Sequence, residues 1–263
     1  MDFGILETPL IYKNLPIGEI PRTPSTPFTA EETEIADAVL CLFGSSIGYL
    51  VSYKQEQDGA LLQNIVPVAK TESQQISTSS KVTLQLHTET AFHPYKPDYV
   101  LLMCLRGDEN AYTTYADVVS IVECLSTQAI EELKKKQFIT KVDDSFRTHG
   151  EPDVELVKAI LTVDEDGYGI CFDEFFMRGT TQEACDALDE LIIAIARCTD
   201  KVALEAGDLM VIDNRRTVHG RLPFQPRYDG TDRWLKRLMV VATLPPESEM
   251  DGCVITTEIT SAS

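Results

Sequence analysis

The stretch that most constrains this chain is Val82-Thr83-Leu84-Gln85-Leu86-His87-Thr88-Glu89. Apolar and polar residues alternate up to Leu86, the pattern of a half-buried strand. In a strand, residues two apart point to the same face, so His87 and Glu89 project together. An imidazole beside a carboxylate supplies two adjacent metal ligands. A 2-His-1-carboxylate site for Fe(II) needs one further histidine and leaves open positions for other ligands. His219, in Arg216-Thr217-Val218-His219-Gly220, is the natural candidate. An H-x-E triplet also arises by chance in any acidic chain, as a surface histidine beside a solvated glutamate, so the rest of the sequence must decide.

Composition narrows the classes. A chain of 263 residues can bury a sizeable core, and all-β barrels and sandwiches of this length are commonly one domain. The expectation is therefore a single domain over residues 1–263, with an irregular N-terminal wrap at 1–28 and a polar C-terminal tail at 245–263. A net charge of −19 argues against nucleic acid and anionic membranes as partners. Seven scattered cysteines contain no C-x-x-C pair, so neither a disulfide framework nor a zinc knuckle is indicated. Met1-Asp2-Phe3-Gly4 lacks the basic and apolar regions of a secretion signal, and no stretch is long and apolar enough for a membrane span. The expected setting is a reducing cytoplasm.

Three helices are legible. Thr29-Ala30-Glu31-Glu32 has the form of a capping box, and Ile35, Val39, Leu42 and Phe43 recur at helical spacing, predicting an amphipathic helix over Thr29–Phe43. Ser126–Lys136 reads as a short helix whose three terminal lysines suit the C-terminal end of its dipole. Thr180-Thr181-Gln182-Glu183 is a second capping box before the apolar stripe of Ala184–Arg197. A further helix is read over Val154–Leu161. Most other segments are strands. Ile65–Val68 is a short one, Pro97–Arg106 and Ala111–Asp117 read as a hairpin around Gly107-Asp108-Glu109-Asn110, and Gly167–Asp173 is strand-like. The C-terminal part holds Val202–Leu204, Asp208–Asn214, Val218–Phe224 and Trp234–Thr243. Many strands with a few covering helices predict a mainly β fold with flanking helices and a jelly-roll core.

One local charge pattern stands against the acidic background. Residues 215–237 hold Arg215, Arg216, Arg221, Arg227, Arg233, Lys236 and Arg237, with His219 among them. Arg233 and Arg237 are an even number of residues apart and share a face of an extended strand. Each offers a planar fork for a carboxylate. Facing inward beside a metal they would suit two carboxylates, one on a cosubstrate and one on an amino acid; facing outward they would be a solvated basic strand.

The segment His87-Thr88-Glu89-Thr90-Ala91-Phe92-His93-Pro94-Tyr95, with Pro97-Asp98-Tyr99 and Cys104-Leu105-Arg106, resembles the iron motif of clavaminate synthase-like oxygenases. Gly207–Arg221 resembles that family's distal-histidine segment, and Pro226–Arg237 continues the match. The nearest resemblance is to the Fe(II)- and 2-oxoglutarate-dependent 3-hydroxylases of free L-arginine and L-asparagine, over most of residues 30–243.

The resemblance implies a double-stranded β-helix fold and Fe(II), 2-oxoglutarate and O2 as cofactor and cosubstrates. It implies His87, Glu89 and His219 as iron ligands. Arg233 would take the distal carboxylate of 2-oxoglutarate, with Thr113 (or Thr114, one register away) adding a hydroxyl. It implies Arg237 for the substrate α-carboxylate and Asp173 for the substrate side chain. Glu56 or Gln57, and the hydroxyls from Ser77 to Ser80, fall near other substrate-contact positions. The carboxylate of Glu89 fills the site that a radical halogenase leaves to chloride, which favours C–H oxidation. His93 and His149 are expected to be structural. The implied activity is hydroxylation, at Cβ, of a free amino acid or an amino-acid-derived intermediate. Desaturation, epoxidation or cyclisation by the same chemistry stays open, as does a non-catalytic jelly-roll binding protein.

Overall fold

The computed structural model describes residues 9–28, 33–143, 146 and 154–259. In chain order its strands are β1 (Leu10–Tyr12), β2 (Tyr49–Tyr53), β3 (Gln63–Ile65), β4 (Leu84–His87), β5 (Tyr99–Arg106), β6 (Thr113–Asp117), β7 (Phe138–Lys141), β8 (Glu155–Lys158), β9 (Leu161–Asp164), β10 (Gly167–Ile170), β11 (Arg178–Gly179), β12 (Asp200–Val202), β13 (Leu209–Asp213), β14 (Thr217–Arg221), β15 (Trp234–Val241), β16 (Met250–Asp251) and β17 (Val254–Ile255). The helices are α1 (Glu34–Ile47), α2 (Val118–Glu123), α3 (Thr127–Leu133) and α4 (Gln182–Cys198). The protein is thus mostly β with a few helices.

Two sheets position the site. The larger runs β1-β13-β5-β15-β2-β17-β16, with β3 also on β15; the smaller runs β12-β6-β14-β4. β5 is an almost unbroken apolar run because both of its faces are covered. Leu101, Met103 and Leu105 meet α1 on one side. Val100, Leu102 and Cys104 turn the other way, into a cluster shared with Tyr115 and Val202 of the smaller sheet. On the outside, α2, α3 and α4 pack over the smaller sheet in a third cluster through Ala187, Leu188, Leu191 and Ile195. No helix is long and apolar enough to cross a membrane among the described residues.

Several expectations are corrected here. β5 and β6 do not form a hairpin: β5 pairs with β13 and β15, and β6 with β12 and β14. With both edges of β5 taken, residues 107–112 carry the chain across to the facing sheet. The expected helix at 154–161 is two strands, β8 and β9. β8 alternates between exposed Glu155 and Val157 and half-buried Leu156 and Lys158, and it pairs with β7. The strand expected at Ile65–Val68 lies earlier, at β3. The polar tail adds β17 in parallel to β2 and buries Ile255, and the N-terminal wrap adds β1 to β13.

The first helix starts later, and its inner face only partly matches the expected stripe: Val39 and Phe43 pack against the core as expected. It buries Ala36, Leu40 and Gly44 and leaves Ile35 and Leu42 exposed. Small residues win the inner face because the helix lies close: a Cβ on Gly44 would sit 2.7 Å from the side chains of Leu50 and Leu238. The expected capping box over 29–32 lies outside the described residues. The other two helices agree with expectation. Ser126 and Thr181 cap α3 and α4 by accepting from the backbone N–H groups of Ala129 and Ala184.

Candidate active site

Between the two sheets, His87, Glu89 and His219 converge, with one ligand atom of each within 4.8 Å of the others. The convergence follows from register. β14 runs antiparallel to β4 with His219 directly opposite His87, and opposed side chains of adjacent strands lie on the same face. The two rings stand 4.6 Å apart. His87 Nδ1 lies 2.8 Å from the Gln85 carbonyl oxygen, which leaves Nε2 for a metal.

Glu89 follows the end of β4 and is held by Asn214, fully buried between β13 and β14. The Asn214 Oδ1 accepts from the Glu89 backbone N–H at 2.6 Å, and its Nδ2 donates to the carbonyls of Glu89 (3.2 Å) and Pro97 (2.8 Å). Thr90 then takes a positive φ of 48°, turning the chain away behind the carboxylate. The donor set of two imidazoles and one carboxylate, buried and sharing one face, fits ferrous iron.

Burial pushes the Glu89 carboxyl up, but the Arg237 guanidinium and both imidazoles overcome it and hold Glu89 well below the usual carboxylate range. Burial also pushes His219 down, against the pull of Glu89 3.7 Å away, so its imidazole is favoured in the neutral form a metal requires. His93 stays outside this group. It is buried among Tyr53, Phe92 and Phe146, accepts from the Tyr95 N–H through Nδ1, and burial pushes it down to about 4. His149 lies outside the described residues.

The other predicted residues divide into those brought to the ligands and those kept away. Arg237 is buried and donates to Glu89 Oε1 (2.7 Å), Glu56 Oε2 (2.8 Å) and Gln63. Burial lifts the Glu56 carboxyl despite that guanidinium. Arg233, buried on the same inner row with Leu235 between them, donates to Thr113 Oγ at 3.0 Å. Thr114 faces the opposite side of β6, into a separate cavity of about 640 Å³ lined also by Gln75 and Leu86.

Asp173 pairs through its backbone with His87. Its Oδ1 accepts from the N–H groups of Phe175 and Phe176, and burial pushes its carboxyl up. Gln57 is not brought to Arg237, since its amide donates to the Asn64 carbonyl. Ser77 meets Arg221 through its carbonyl, which accepts from that guanidinium.

Four residues that sequence reasoning missed matter here: Asn214, Gln63, Asp143 and Arg221. Asn214 and Arg221 lie inside the distal-histidine segment, where proximity to His219 was the available signal. Gln63 was hidden in a strand placed two residues too late. Asp143 sits in the least periodic part of the chain; burial, aided by Asp173, pushes it up to about 7.

The profile of the family described as "Taurine catabolism dioxygenase TauD, TfdA family" matches residues 27–239. The chain is 36% identical over 240 residues to the L-lysine 3-hydroxylase of Catenulispora acidiphila, covering 89% of this chain and 67% of that protein. It is similar to the crystal structure of asparagine oxygenase in complex with Fe(II), 2S,3S-3-hydroxyasparagine and succinate. That similarity has a TM-score of 0.86 and 32% identity, and covers 95% of this chain and 80% of the other. It is also similar to the non-heme iron oxygenase OrfP in complex with Fe and alpha-ketoglutaric acid, with a TM-score of 0.83, 30% identity, and 93% and 79% of the two chains covered. These similarities bear out the resemblance carried by the iron motif.

Proposed function

Since the chain belongs to the taurine catabolism dioxygenase TauD, TfdA family and is a non-haem iron, 2-oxoglutarate-dependent oxygenase, we propose that it hydroxylates Cβ of a free amino acid with a cationic side chain. The observation that carries this reading is one inner row: Arg237 donates to Glu89 of the His87, Glu89 and His219 cluster, and Arg233, on the same face of the same strand, donates to Thr113, across from the residue two beyond His219. In this reading the two facing sheets are a double-stranded β-helix, and the described chain is one catalytic domain.

His87, Glu89 and His219 would hold the iron from one side, with Asn214 fixing the backbone of Glu89. When bound, iron supplies the oxidising chemistry by which 2-oxoglutarate and O2 become succinate and CO2 and one oxygen atom enters a substrate C–H bond. Arg233 and Thr113 take the distal carboxylate of 2-oxoglutarate. Arg237 takes the substrate α-carboxylate, and Glu56, already paired with Arg237, receives the α-ammonium. A zwitterion fits this pair because it returns one opposite charge to each partner. Asp143, raised by burial and by Asp173, and Asp173, raised by burial, suit a positive side chain. The similarity to an L-lysine 3-hydroxylase supports that choice.

The test is a screen of free amino acids for substrate-dependent succinate release, with mass analysis for products that gain one oxygen. The expected hits carry amino or guanidino side chains. Coupled turnover only with neutral amino acids would sink the cationic reading. Absence of the visible charge-transfer band when anaerobic Fe(II) protein is titrated with 2-oxoglutarate would sink the cosubstrate assignment.

A further inference from the structure

Arg221 lies two residues beyond His219 on the inner side of β14, directly across from Thr113 of β6. Thr113 is the hydroxyl to which Arg233 donates. Two buried guanidinium groups therefore meet at this end of the site, and neither has a carboxylate in salt-bridge contact among the described residues. An unpaired buried cation costs several kcal/mol, roughly, unless something compensates it. Two side by side cost more, since each repels the other. Burial, then the Arg233 charge, pushes Arg221 down to about 9.

What compensates Arg221 within the chain is a set of oxygen dipoles. Its Nε donates to the Leu222 carbonyl (3.3 Å). One terminal nitrogen donates to the carbonyls of Ser77 (3.3 Å) and Ser79; the other donates to Ser79 Oγ (2.9 Å) and the Val82 carbonyl (3.2 Å). The Phe224 ring lies 5.3 Å from its Cζ. A guanidinium has five N–H donors, and these five acceptors use them all. Arg221 therefore has no donor left for a ligand, while its charge stays in the low-dielectric interior beside Arg233.

We propose that Arg221 is a positioning residue for the 2-oxo acid, a second buried cation that sets the pocket's preference for a distal carboxylate while acting through Arg233 and Thr113. The inference rests on the reading that Arg233 takes the distal carboxylate. It gives the unpaired charge a purpose: the two cations share the stabilisation that one incoming carboxylate brings, and a 2-oxo acid without that carboxylate leaves both without a counter-charge.

The experiment compares 2-oxoglutarate with 2-oxopentanoate, which has the same carbon skeleton and no distal carboxylate. Binding to anaerobic, Fe(II)-loaded protein is measured by calorimetry and by the charge-transfer band. In the wild type, 2-oxoglutarate binds tighter. Arg221→Met should shrink that preference about tenfold, ~1.4 kcal/mol, by weakening 2-oxoglutarate alone, while Arg221→Lys, which keeps the charge, should retain it. If Arg221→Met does not fold, Arg221→Gln reads the same ratio.

Equal weakening of both acids, or the same loss in Arg221→Lys as in Arg221→Met, would mean that Arg221 only staples residues 77–82 to β14, and would overturn the proposal. An unchanged ratio overturns it too. A wild-type protein with no preference for 2-oxoglutarate would instead overturn the Arg233 reading beneath it.

Discussion

Arg233 and Arg237 are the same residue type, four positions apart on one strand and both buried, yet their surroundings are opposite. Arg237 sits between two carboxylates, Glu56 and Glu89, with Gln63 completing its contacts. Burial would lower its pKa, but those carboxylates overcome burial and hold it above the usual range. Arg233 has a hydroxyl for a partner and a second arginine nearby, and burial holds it below the usual range. One end of the row is thus charge-saturated and the other is charge-starved. The starved end can accept a bare anion without giving anything up. The saturated end can accept only a ligand that brings both signs, which is what a free amino acid does. On the proposed reading, the two ligands would be sorted by the balance of charge around each arginine, more than by the arginines themselves.

The largest expected effect concerns the metal on which this contrast depends. His87→Ala removes one of three ligands and should abolish succinate formation, by more than the roughly 10- to 100-fold typical of losing a partner that supports a ligand. Measurable coupled turnover in that variant would break the assignment of the triad.

The next effect is on stability, and it has opposite signs at the two ends. In metal-free protein, Arg237→Met leaves Glu89 and Glu56 without their guanidinium and should cost roughly 3–5 kcal/mol. Arg233→Met removes an unpaired buried cation and should leave stability unchanged or raise it. Urea unfolding of the two variants measures this, and equal losses would erase the contrast. Iron should reduce the Arg237→Met penalty, because a metal on Glu89 compensates one of the two acids.

Binding separates the ends a third way. Arg233→Met should weaken 2-oxoglutarate by about 2–5 kcal/mol, the range for truncating one partner of a buried charge pair. Arg237→Met should spare 2-oxoglutarate and weaken the amino acid. Calorimetry on Fe(II)-loaded protein decides; a loss of 2-oxoglutarate binding in both variants would mean the arginines act as one patch.

This contrast was only half legible in the sequence. Spacing put Arg233 and Arg237 on one face because that inference is local to one strand; the period of two also brought Glu89 to His87, although β4 ends at His87 and Asn214 holds the Glu89 backbone beyond it. Pairing between strands is not local. Nothing in Pro97–Arg106 or Ala111–Asp117 reveals that β5 already has two neighbours, so a hairpin looked natural where the chain crosses between sheets. Gln63 was missed for a related reason, since β3 is defined by its pairing with β15 more than by its own pattern. Asp143 gave no signal at all. Its carboxyl matters only because folding buries it near Asp173 and His87, whereas a helix such as α4 announces itself by its own stripe.

Asp143 gives the smallest and last prediction. Burial pushes it up to about 7, aided by Asp173, Glu56 and Glu89 and opposed by His87. Its value in the unfolded chain is near the ordinary 3.8. Between these two values the folded protein keeps a proton that the unfolded chain has lost, so this group's contribution to stability falls as pH rises through that window. Above about 7 both states are ionised and the penalty is complete. In metal-free protein, going from pH 5 to 7 should therefore cost at most about 2 kcal/mol through this group, and Asp143→Asn should remove that part of the slope in thermal or urea melts. The same substitution should weaken amino acids with cationic side chains while leaving 2-oxoglutarate binding at the Arg233 end unaltered. An unchanged pH slope would place Asp143 in water, and an unchanged preference for cationic substrates would leave Asp173 as the acid that selects them.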